Sequence, residues 1–527
     1  MSKTQSRLKQ STKNFVSGTF YHVVKIILNF VSRTVFIYTL GVEYLGMNGI
    51  FGDVLNLLCM ADLGFSTAMA YSFYKPLAEG DRERITDLVS FYRKIYNVIA
   101  LLITVGGLLC IPFLKYIVHT EKEVPHLVIY YLIALAGVIC SYLFVYKSTL
   151  LTADQKDYML VRVRTVVSFI ITAAQLMVLL AWKNYILYLL TGTFYQVLCN
   201  ILVTWKANRE YPFLRKIKKR KLDDDKLKKS IFENMKSVFI YKISETCFWS
   251  TDNILISTLV GTAAVGLYSN YLTLGSKLLL MEQIVFASMT ASIGNVVASE
   301  NDSKRYEVFQ GIQSLSYIFS GVIVCCYCLL IHDFIYVWIG PEFQLSGLLI
   351  LAVTLNTYMC CVLQPLWCFR DATGMYKRIK YIMLLGSILN IILSIILGKL
   401  LGTAGIIFAS AISRVATYVW YEPKLLFREY FDRGCAGYFL SLVGNFVAVL
   451  AVIAGGWWIG DRFHARTWTE LLIKAAVTAV ITAGIFFGLY CRTEGGRMIV
   501  SRVTGVLHRW RGSRKAESAE NCEGEGI

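Results

Sequence analysis

The chain has 527 residues, of which 56% are hydrophobic and only 17% are charged, with a formal net charge of +18. A soluble protein of this length normally carries about 25% charged residues, so the composition excludes an ordinary soluble enzyme. The positive charge does not indicate a nucleic-acid-binding protein, because the basic residues lie in alternate segments between long apolar runs.

The apolar runs are long enough to cross a bilayer, which takes roughly 20 residues of helix. No small-residue cleavage site follows a short apolar core near the basic N-terminus, so we expect a retained first helix rather than a signal peptide. We predict an all-α integral membrane protein with fourteen transmembrane helices, near 14–40, 44–74, 89–116, 124–150, 158–181, 184–205, 231–258, 262–297, 308–332, 346–370, 379–398, 404–423, 435–458 and 470–490.

The distribution of Lys and Arg predicts the orientation. Eight segments on one side of the predicted helices carry 40 basic residues, and the seven segments on the other side carry 6. Cytoplasmic loops of membrane proteins hold the excess of positive charge. We therefore expect both termini to be cytoplasmic, and we call the opposite side the outer side.

A basic segment divides the chain into six helices before it and eight after it. We predict an N-terminal six-helix bundle at 1–205, a basic cytoplasmic linker at 206–230, a C-terminal six-helix bundle at 231–430, helices 13 and 14 at 431–491, and a cytoplasmic tail at 492–527.

The two halves resemble each other at an offset of 220 residues. Residues 41–46 align with 261–266, so that each stretch begins and ends with glycine. Asp62 then aligns with Glu282, and Lys25 with Glu245. Six helices separate the copies, so both have the same direction in the membrane. Parallel repeats of this kind are common in transporters, where the substrate site lies at the repeat interface.

Ionisable residues at membrane depth are concentrated in predicted helices 1, 2, 7 and 8. On helix 1, Lys25, Asn29 and Arg33 recur every four residues and form one polar stripe. At 1.5 Å per residue, Arg33 lies roughly 10 Å and Lys25 about 22 Å from the outer end of the helix. On helix 7, Lys242 and Glu245 share a face of the helix.

Such charges usually face water or a partner, because they are costly in lipid. In one hypothesis Lys25, Asn29, Arg33, Lys242 and Lys277 line a central cavity for an anionic substrate such as a diphosphate. In the other, Lys25 and Arg33 form static ion pairs with acidic residues of helix 7. Four acidic residues are candidates for ion coupling or gating, namely Asp62, Glu245, Asp252 and Glu282.

Four stretches resemble the polysaccharide flippases of the O-antigen and capsule exporter type, in the multidrug/oligosaccharidyl-lipid/polysaccharide superfamily. They are LGVEYLGMNGIFGDVLNLLCMADLGFSTAMAYSFYKPLAEGDRERI (40–85), STDNILISTLVGTAAVGLYSNY (250–271), FIYVWIGPEF (334–343) and FRDATGMYKRIKY (369–381). The resemblance covers roughly residues 12–430, and the last two helices are less distinctive.

The resemblance implies a MATE-like fold, with two six-helix bundles in pseudo-two-fold relation around a central cavity and two extra C-terminal helices at its periphery. It implies that a polyprenyl-diphosphate-linked oligosaccharide is flipped to the outer leaflet of a bacterial cytoplasmic membrane by alternating access. Lys25 and Arg33 would bind the diphosphate or acidic sugars. The partners implied are this lipid-linked oligosaccharide, the bilayer, H⁺ or Na⁺ as a coupling ion, and polysaccharide polymerase machinery.

Two alternatives remain open. A multidrug or cation antiporter of the same fold would favour an acidic, aromatic cavity, whereas helix 1 is cationic. A membrane glycan polymerase or glycosyltransferase would usually carry a sizeable catalytic loop, and the longest loop here is basic and short. The six histidines are scattered, and there is no Walker lysine loop. We therefore expect neither an enzyme nor a resident cofactor or metal.

Overall fold

The computed structural model describes residues 3–62, 65–120, 124–143, 145–214, 239–460, 463–498 and 501, and side chains from residue 20 onward except 22–23, 61–62, 65–68, 70–71, 291 and 460. Across these residues the chain is helical, and no β-strand occurs among them. This confirms the predicted all-α class.

Helices follow one another with short connections. In chain order they are α1 (Lys3–Leu40), α2 (Val42–Leu58), α3 (Phe65–Glu79), α4 (Arg82–Cys110), α5 (Leu114–Ile117), α6 (Leu127–Tyr142), α7 (Val145–Ala153), α8 (Asp157–Ala181), α9 (Tyr185–Glu210), α10 (239–250), α11 (Asp252–Leu259), α12 (Thr262–Ser299), α13 (Asp302–Ile339), α14 (Gly347–Val362), α15 (Gln364–Thr373), α16 (Tyr376–Leu401), α17 (Thr403–Ala416), α18 (Tyr418–Leu426), α19 (Ala436–Gly460) and α20 (Trp468–Tyr490).

Most of the predicted spans are helices of the expected length and composition. Within the described ranges, nine helices are long and apolar enough to cross a membrane, and two bent pairs raise this number to as many as eleven. These correspond to all the predicted spans except the first, second and seventh. The chain is therefore a multi-pass membrane protein, and the total of fourteen crossings stays a prediction.

The first, second and seventh spans differ from the others in polarity and continuity. Span 1 carries Lys25 and Arg33, and its helix begins in the basic N-terminal segment. Span 2 is divided between α2, a 3₁₀ turn at Cys59–Asp62 and α3. Span 7 is interrupted at Thr251, between α10 and α11. Polar groups and broken helices are tolerated at membrane depth where protein or a water-filled cavity surrounds them.

The starts of several helices are fixed by side chains that accept backbone hydrogen bonds. Asp81, Asn184 and Asn301 each cap a helix by accepting from the amide three residues later, at 2.9–3.1 Å. Thr467 and Glu470 form a reciprocal capping box at the start of α20. Such caps satisfy amides that have no partner within the helix.

The bend between α14 and α15 has a cause in the sequence. The two helices meet at 42°, and Pro365 lies in the first turn of α15. Proline has no amide hydrogen and its ring collides with the preceding turn, so a continuous helix is broken there.

By their packing, the residues form two compact units. Unit 1 comprises Met1–Ser269 and Lys377–Ala409, and unit 2 comprises Asn270–Tyr376 and Ser410–Ile527. In unit 1, α1 packs against α8, and α9 packs against α6 and α8. The predicted bundles at 1–205 and 231–430 are defined by the repeat rather than by packing, and that division stays a prediction.

In unit 2, α13 is the central helix and contacts α14, α19 and α20. The two helices after residue 430, predicted to be peripheral, therefore pack on one long helix. The ring of Phe486 fills the space that a Cβ atom on Gly321 of α13 would occupy. The absent side chain lets α20 approach closely.

A buried carboxylate ties α13 to the loop before α20. Asp333 is 4% exposed and accepts a hydrogen bond of 2.6 Å from Lys474 Nζ. It also accepts one of 3.2 Å from the amide of Ala465. His464 Nδ1 lies 3.6 Å from its other oxygen.

We predict that Lys474→Met lowers the free energy of unfolding by about 1–3 kcal/mol, because the buried Asp333 carboxylate loses its cation. Thermal unfolding of the purified protein in detergent measures this effect. The double variant Asp333→Asn/Lys474→Met should recover part of the loss, since no carboxylate is then left unpaired. Lys399→Met, at an exposed lysine, is the control. An equal midpoint for Lys474→Met and wild type would contradict the prediction.

Candidate functional site

The two copies of the sequence repeat have the same turn at their outer ends. Gly41, between α1 and α2, has a φ of +89°, and Gly261, between α11 and α12, has a φ of +131°. Residues with side chains rarely adopt such angles. The two glycines are 220 residues apart, so the alignment found in the sequence pairs two positions that both have a positive φ.

Past these turns, the first turns of α2 and α12 contact each other backbone to backbone. Gly46 lies so close to the carbonyl oxygen of Thr262 that a Cβ atom would overlap with it. Gly266 has the same relation to the carbonyl oxygen of Val42. Adding 220 to Gly46 and subtracting 220 from Thr262 turns the first contact into the second. A contact that recurs with its partners exchanged indicates a two-fold relation between the copies. We call these four residues the glycine clasp.

A second pair of reciprocal contacts lies deeper in the membrane. Arg33 Nη2 of α1 donates a hydrogen bond of 2.5 Å to Ser269 Oγ of α12. The residues equivalent to Arg33 and Ser269 are Asn253 and Gly49, and a Cβ atom at Gly49 would lie 3.8 Å from Asn253 Nδ2. Asn253 Nδ2 also donates a hydrogen bond of 2.7 Å to Asp53 Oδ2 of α2. The clasp is therefore followed by a layer of polar contacts between the repeats.

The rest of the predicted stripe on α1 is exposed. Lys25 and Asn29 are both exposed, whereas Arg33 is half-buried. The Nζ of Lys25 lies 5.5 Å from the centroid of the Tyr21 ring. Within the described part of the chain, Lys25 makes no ion pair. Its ammonium group is available to an anion in this conformation.

Two of the predicted residues of helix 7 form a pair with each other. Lys242 and Glu245 form an ion pair of 2.6 Å, and Tyr241 donates a hydrogen bond of 3.4 Å to the same carboxylate. Asp252 is the first residue of α11, where a negative charge interacts favourably with the helix dipole. The static pair of Lys25 with Glu245 is not formed in this conformation.

Three further predicted residues lie elsewhere. Lys277 and Glu282 are on the part of α12 that belongs to unit 2. Glu282 is fully buried and faces the thiol of Cys361. The side chain of Asp62 lies outside the described residues. The cavity and coupling roles of these side chains stay predictions.

Sequence reasoning missed the partners that join the repeats. Asp53, Ser269 and Asn253 are not among the site residues predicted from the sequence. The alignment at 220 residues contained the signal, because it paired Gly46 with Gly266 and Arg33 with Asn253. An alignment identifies equivalent positions but does not say which of them touch.

The arrangement has a mechanical consequence. In this conformation, the first turns of α2 and α12 approach so closely that no side chain fits at Gly46 or Gly266, and Arg33 donates a hydrogen bond to Ser269. Contacts made of glycines and carbonyl oxygens separate without unpacking large side chains, so they are suited to repeated opening.

A protein-family model described as "Polysaccharide biosynthesis protein" matches residues 11–293, more than half of the chain. The matched region contains the aligned glycine stretches at 41–46 and 261–266, and therefore every residue of the glycine clasp. None of the curated proteins matches the sequence significantly.

Several solved structures have a similar fold. A structure described as lipid II flippase MurJ in an inward closed conformation has a TM-score of 0.65 and 15% identity, covering 91% of this chain and 98% of its own. An inward-facing multidrug resistance MATE family transporter has a TM-score of 0.58 and 14% identity, with 75% and 93% covered. An outward-facing structure of such a transporter scores 0.53 at 13% identity, with 86% and 96% covered. These likenesses establish the MATE-like fold.

We predict that Gly46→Ala and Gly266→Ala each favour a conformation open to the outer side, because the new methyl group overlaps with a backbone carbonyl. Overpacking of this kind costs roughly 1–3 kcal/mol, which corresponds to a shift of about 5- to 150-fold in the equilibrium. The readout is labelling of Asn29→Cys by a membrane-impermeant maleimide added outside intact cells, with the protein lacking this cysteine as the background.

The matched control is Gly52→Ala on the same helix, where a Cβ atom meets nothing within 4 Å. It should leave the labelling rate unchanged. Equal labelling in the Gly46, Gly266 and Gly52 variants would contradict the prediction.

Proposed function

The chain belongs to the polysaccharide biosynthesis protein family, and from this premise we propose that it flips a polyprenyl-diphosphate-linked oligosaccharide from the cytoplasmic to the outer leaflet. The observation that carries the proposal is the family match itself, which covers residues 11–293 and includes the glycine clasp. The MATE-like fold supports a transport mechanism, since structures with the same fold include a lipid II flippase and multidrug transporters.

The chemistry of α1 supports an anionic substrate. Lys25 and Arg33 are both cations on the membrane-spanning part of one helix. An arginine binds phosphate with two parallel hydrogen bonds, and a lysine binds it as a point charge. Lys25 has no ion pair within the described residues, so a diphosphate supplies the counter-charge that the protein does not. Asn29, between them on the same stripe, adds a hydrogen-bond donor for the head group.

The glycine clasp supports alternating access. With α2 and α12 joined at their outer ends, substrate enters from the cytoplasmic side. Separation of Gly46 from Thr262, and of Gly266 from Val42, then opens the outer side. Arg33 leaves Ser269 in the same movement and becomes able to hold the diphosphate until release. The lipid tail stays in the bilayer throughout.

Opening and closing is driven by charges elsewhere in the repeats. Lys242 and Glu245 form a pair that a proton or a sodium ion can weaken. Asp252, Asp62 and Glu282 are the other acidic candidates for coupling, and Lys242 and Lys277 extend the cationic lining. The site of action is a bacterial cytoplasmic membrane with both termini in the cytoplasm, alongside polysaccharide polymerase machinery.

We predict that deleting the gene causes lipid-linked oligosaccharide to accumulate in the inner leaflet, where its composition identifies the sugar. The measurement is lipid extraction followed by mass spectrometry. Unchanged lipids together with greater sensitivity to cationic drugs would contradict the flippase and favour a multidrug antiporter.

In proteoliposomes, Lys25→Ala and Arg33→Ala should each lower flipping of a polyprenyl-diphosphate-linked disaccharide by roughly 10–100-fold. A hydrogen bond to a charged group contributes about 1.5–3 kcal/mol, which gives this range. Lys115→Ala, at an exposed lysine of α5, is the control for surface charge. Wild-type flipping by both α1 variants would show that the stripe does not bind the substrate.

A further inference from the structure

A lysine is buried on the predicted cytoplasmic side of unit 1 with no acidic partner. Lys147 of α7 is only 7% exposed, and its Nζ donates a hydrogen bond of 2.9 Å to Asn208 Oδ1 of α9. The ring of the adjacent Tyr146 has its centroid 6.0 Å from the ammonium nitrogen. Within the described residues, Lys147 forms no ion pair, so its charge is held by one neutral amide oxygen.

A second cation lies near this lysine. The charge of Arg93 on α4 acts on both Lys147 and Tyr146. The Arg93 side chain is exposed, and in the described part of the chain it too lacks an ion pair. Helix α4 packs against α7, so the exposed charge of Arg93 acts on the buried Lys147 and its repulsion adds to the cost of burying that lysine.

A lysine in the neighbouring loop, Lys156, does have acidic partners within the protein. Lys156 lies 2.7 Å from Asp154 Oδ2 and 2.6 Å from Glu210 Oε1. Burial opposes its charged form, but the hydrogen bonds that its Nζ donates to these two carboxylates raise the pKa of Lys156 above its usual value. Its side chain is 19% exposed, so the less buried lysine has two carboxylates and the more buried one has none.

A buried ammonium group without a counter-charge is costly, and buried charges in proteins are normally paired. We propose that Lys147, Asn208 and Arg93 form a binding site for a phosphoryl group that supplies the missing negative charge. Arg93 is the exposed end through which the anion enters, and Lys147 is the buried end that holds it. The site is separate from the α1 stripe and does not rest on the proposed flippase activity.

The position of the site favours a phosphoryl group over other anions. Asn208 lies two residues before the end of α9 at Glu210, on the side where the basic residues are concentrated. The fixed anions at that level of a cell membrane are the phosphates of lipid head groups. A guanidinium fork beside an ammonium group also fits the several oxygens of a phosphoryl group. The source is either an anionic phospholipid or the diphosphate of a carrier lipid.

Thermal unfolding of the full-length protein in a zwitterionic detergent tests the site. One titration uses sodium pyrophosphate, with sodium sulfate at equal ionic strength as the reference, and another uses phosphatidylglycerol against phosphatidylcholine. We expect at least one phosphoryl probe to raise the unfolding midpoint of the wild type. Lys147→Met and Arg93→Gln should each raise the half-saturating concentration of that probe about tenfold or more.

The control is Lys75→Met, which removes a lysine that is 84% exposed and lies near Glu79 on the same side. It should leave the half-saturating concentration unchanged. Without any probe, Lys147→Met should unfold at the wild-type temperature or above it, since an unpaired buried charge is removed. Because Arg93 is exposed, Arg93→Gln tests the site without removing a buried side chain.

The two titrations separate the sources. A response to phosphatidylglycerol alone assigns the site to a membrane phospholipid, and a response to pyrophosphate assigns it to a diphosphate. The proposal is overturned if neither probe stabilises the wild type, or if both variants respond to the effective probe as the wild type does. An unchanged probe response with a lowered midpoint for Lys147→Met would give the lysine a purely structural role.

Discussion

The close approach of two backbones at Gly46 and Gly266 is the constraint on which the arrangement of the repeats depends. Each glycine lies against a carbonyl oxygen of the other repeat copy, at Thr262 and Val42. A side chain at either position would hold α2 and α12 apart. It would also move Arg33 away from Ser269 and Asn253 away from Asp53. These pairs join α1 to α12 and α11 to α2, and α1 and α11 are connected directly to α2 and α12 through Gly41 and Gly261. The polar contacts between the repeats therefore depend on the absence of side chains at Gly46 and Gly266.

The same constraint explains why the repeat-bearing helices look unlike the others. Helices that face lipid on most sides are continuous and apolar, as α8 and α16 are. The first, second and seventh spans carry charges, or break at Cys59–Asp62 and near Thr251. Arg33 and Asp53, on the first and second spans, have hydrogen-bond partners on the other copy of the repeat, so these polar groups are satisfied by protein. The features that make them poor candidates by hydropathy are those expected of a transport path.

Much of the fold was predictable because bilayer thickness and the positive-inside rule act on local sequence. The long apolar helices and the family resemblance followed from short stretches of residues, whereas the cytoplasmic position of the segments rich in Lys and Arg stays a prediction. The pair of Lys242 with Glu245 was also accessible, since three residues of helix place both on one face. The contact of Asn253 with Asp53 was not, because it depends on how two helices 200 residues apart pack. The bend before α15 was signalled by Pro365, but its angle depends on packing.

The cations at the two ends of unit 1 differ in their partners in this conformation. At the predicted outer end the repeats meet at the glycine clasp, and Arg33 donates a hydrogen bond to Ser269. At the opposite end Lys147 and Arg93 offer positive charge that no described carboxylate neutralises. Lys25 lies between these levels and is likewise without an ion pair among the described residues. Among the described residues of unit 1, Arg33 beside the glycine clasp is hydrogen-bonded, whereas Lys25, Lys147 and Arg93 have no ion pair.

The central claim is that α2 and α12 must separate at the glycine clasp for transport, and a reversible cross-link tests it most directly. A Cβ atom at Gly49 would lie 3.6 Å from Val265 Cγ1, close enough for a disulfide between Gly49→Cys and Val265→Cys. Flipping of the lipid-linked substrate is measured in proteoliposomes before oxidation, after oxidation and after reduction. Gly52→Cys with Val265→Cys, one turn away, is the control. We expect oxidation to stop flipping in the first pair alone and reduction to restore it. Full activity in the cross-linked protein would contradict the account.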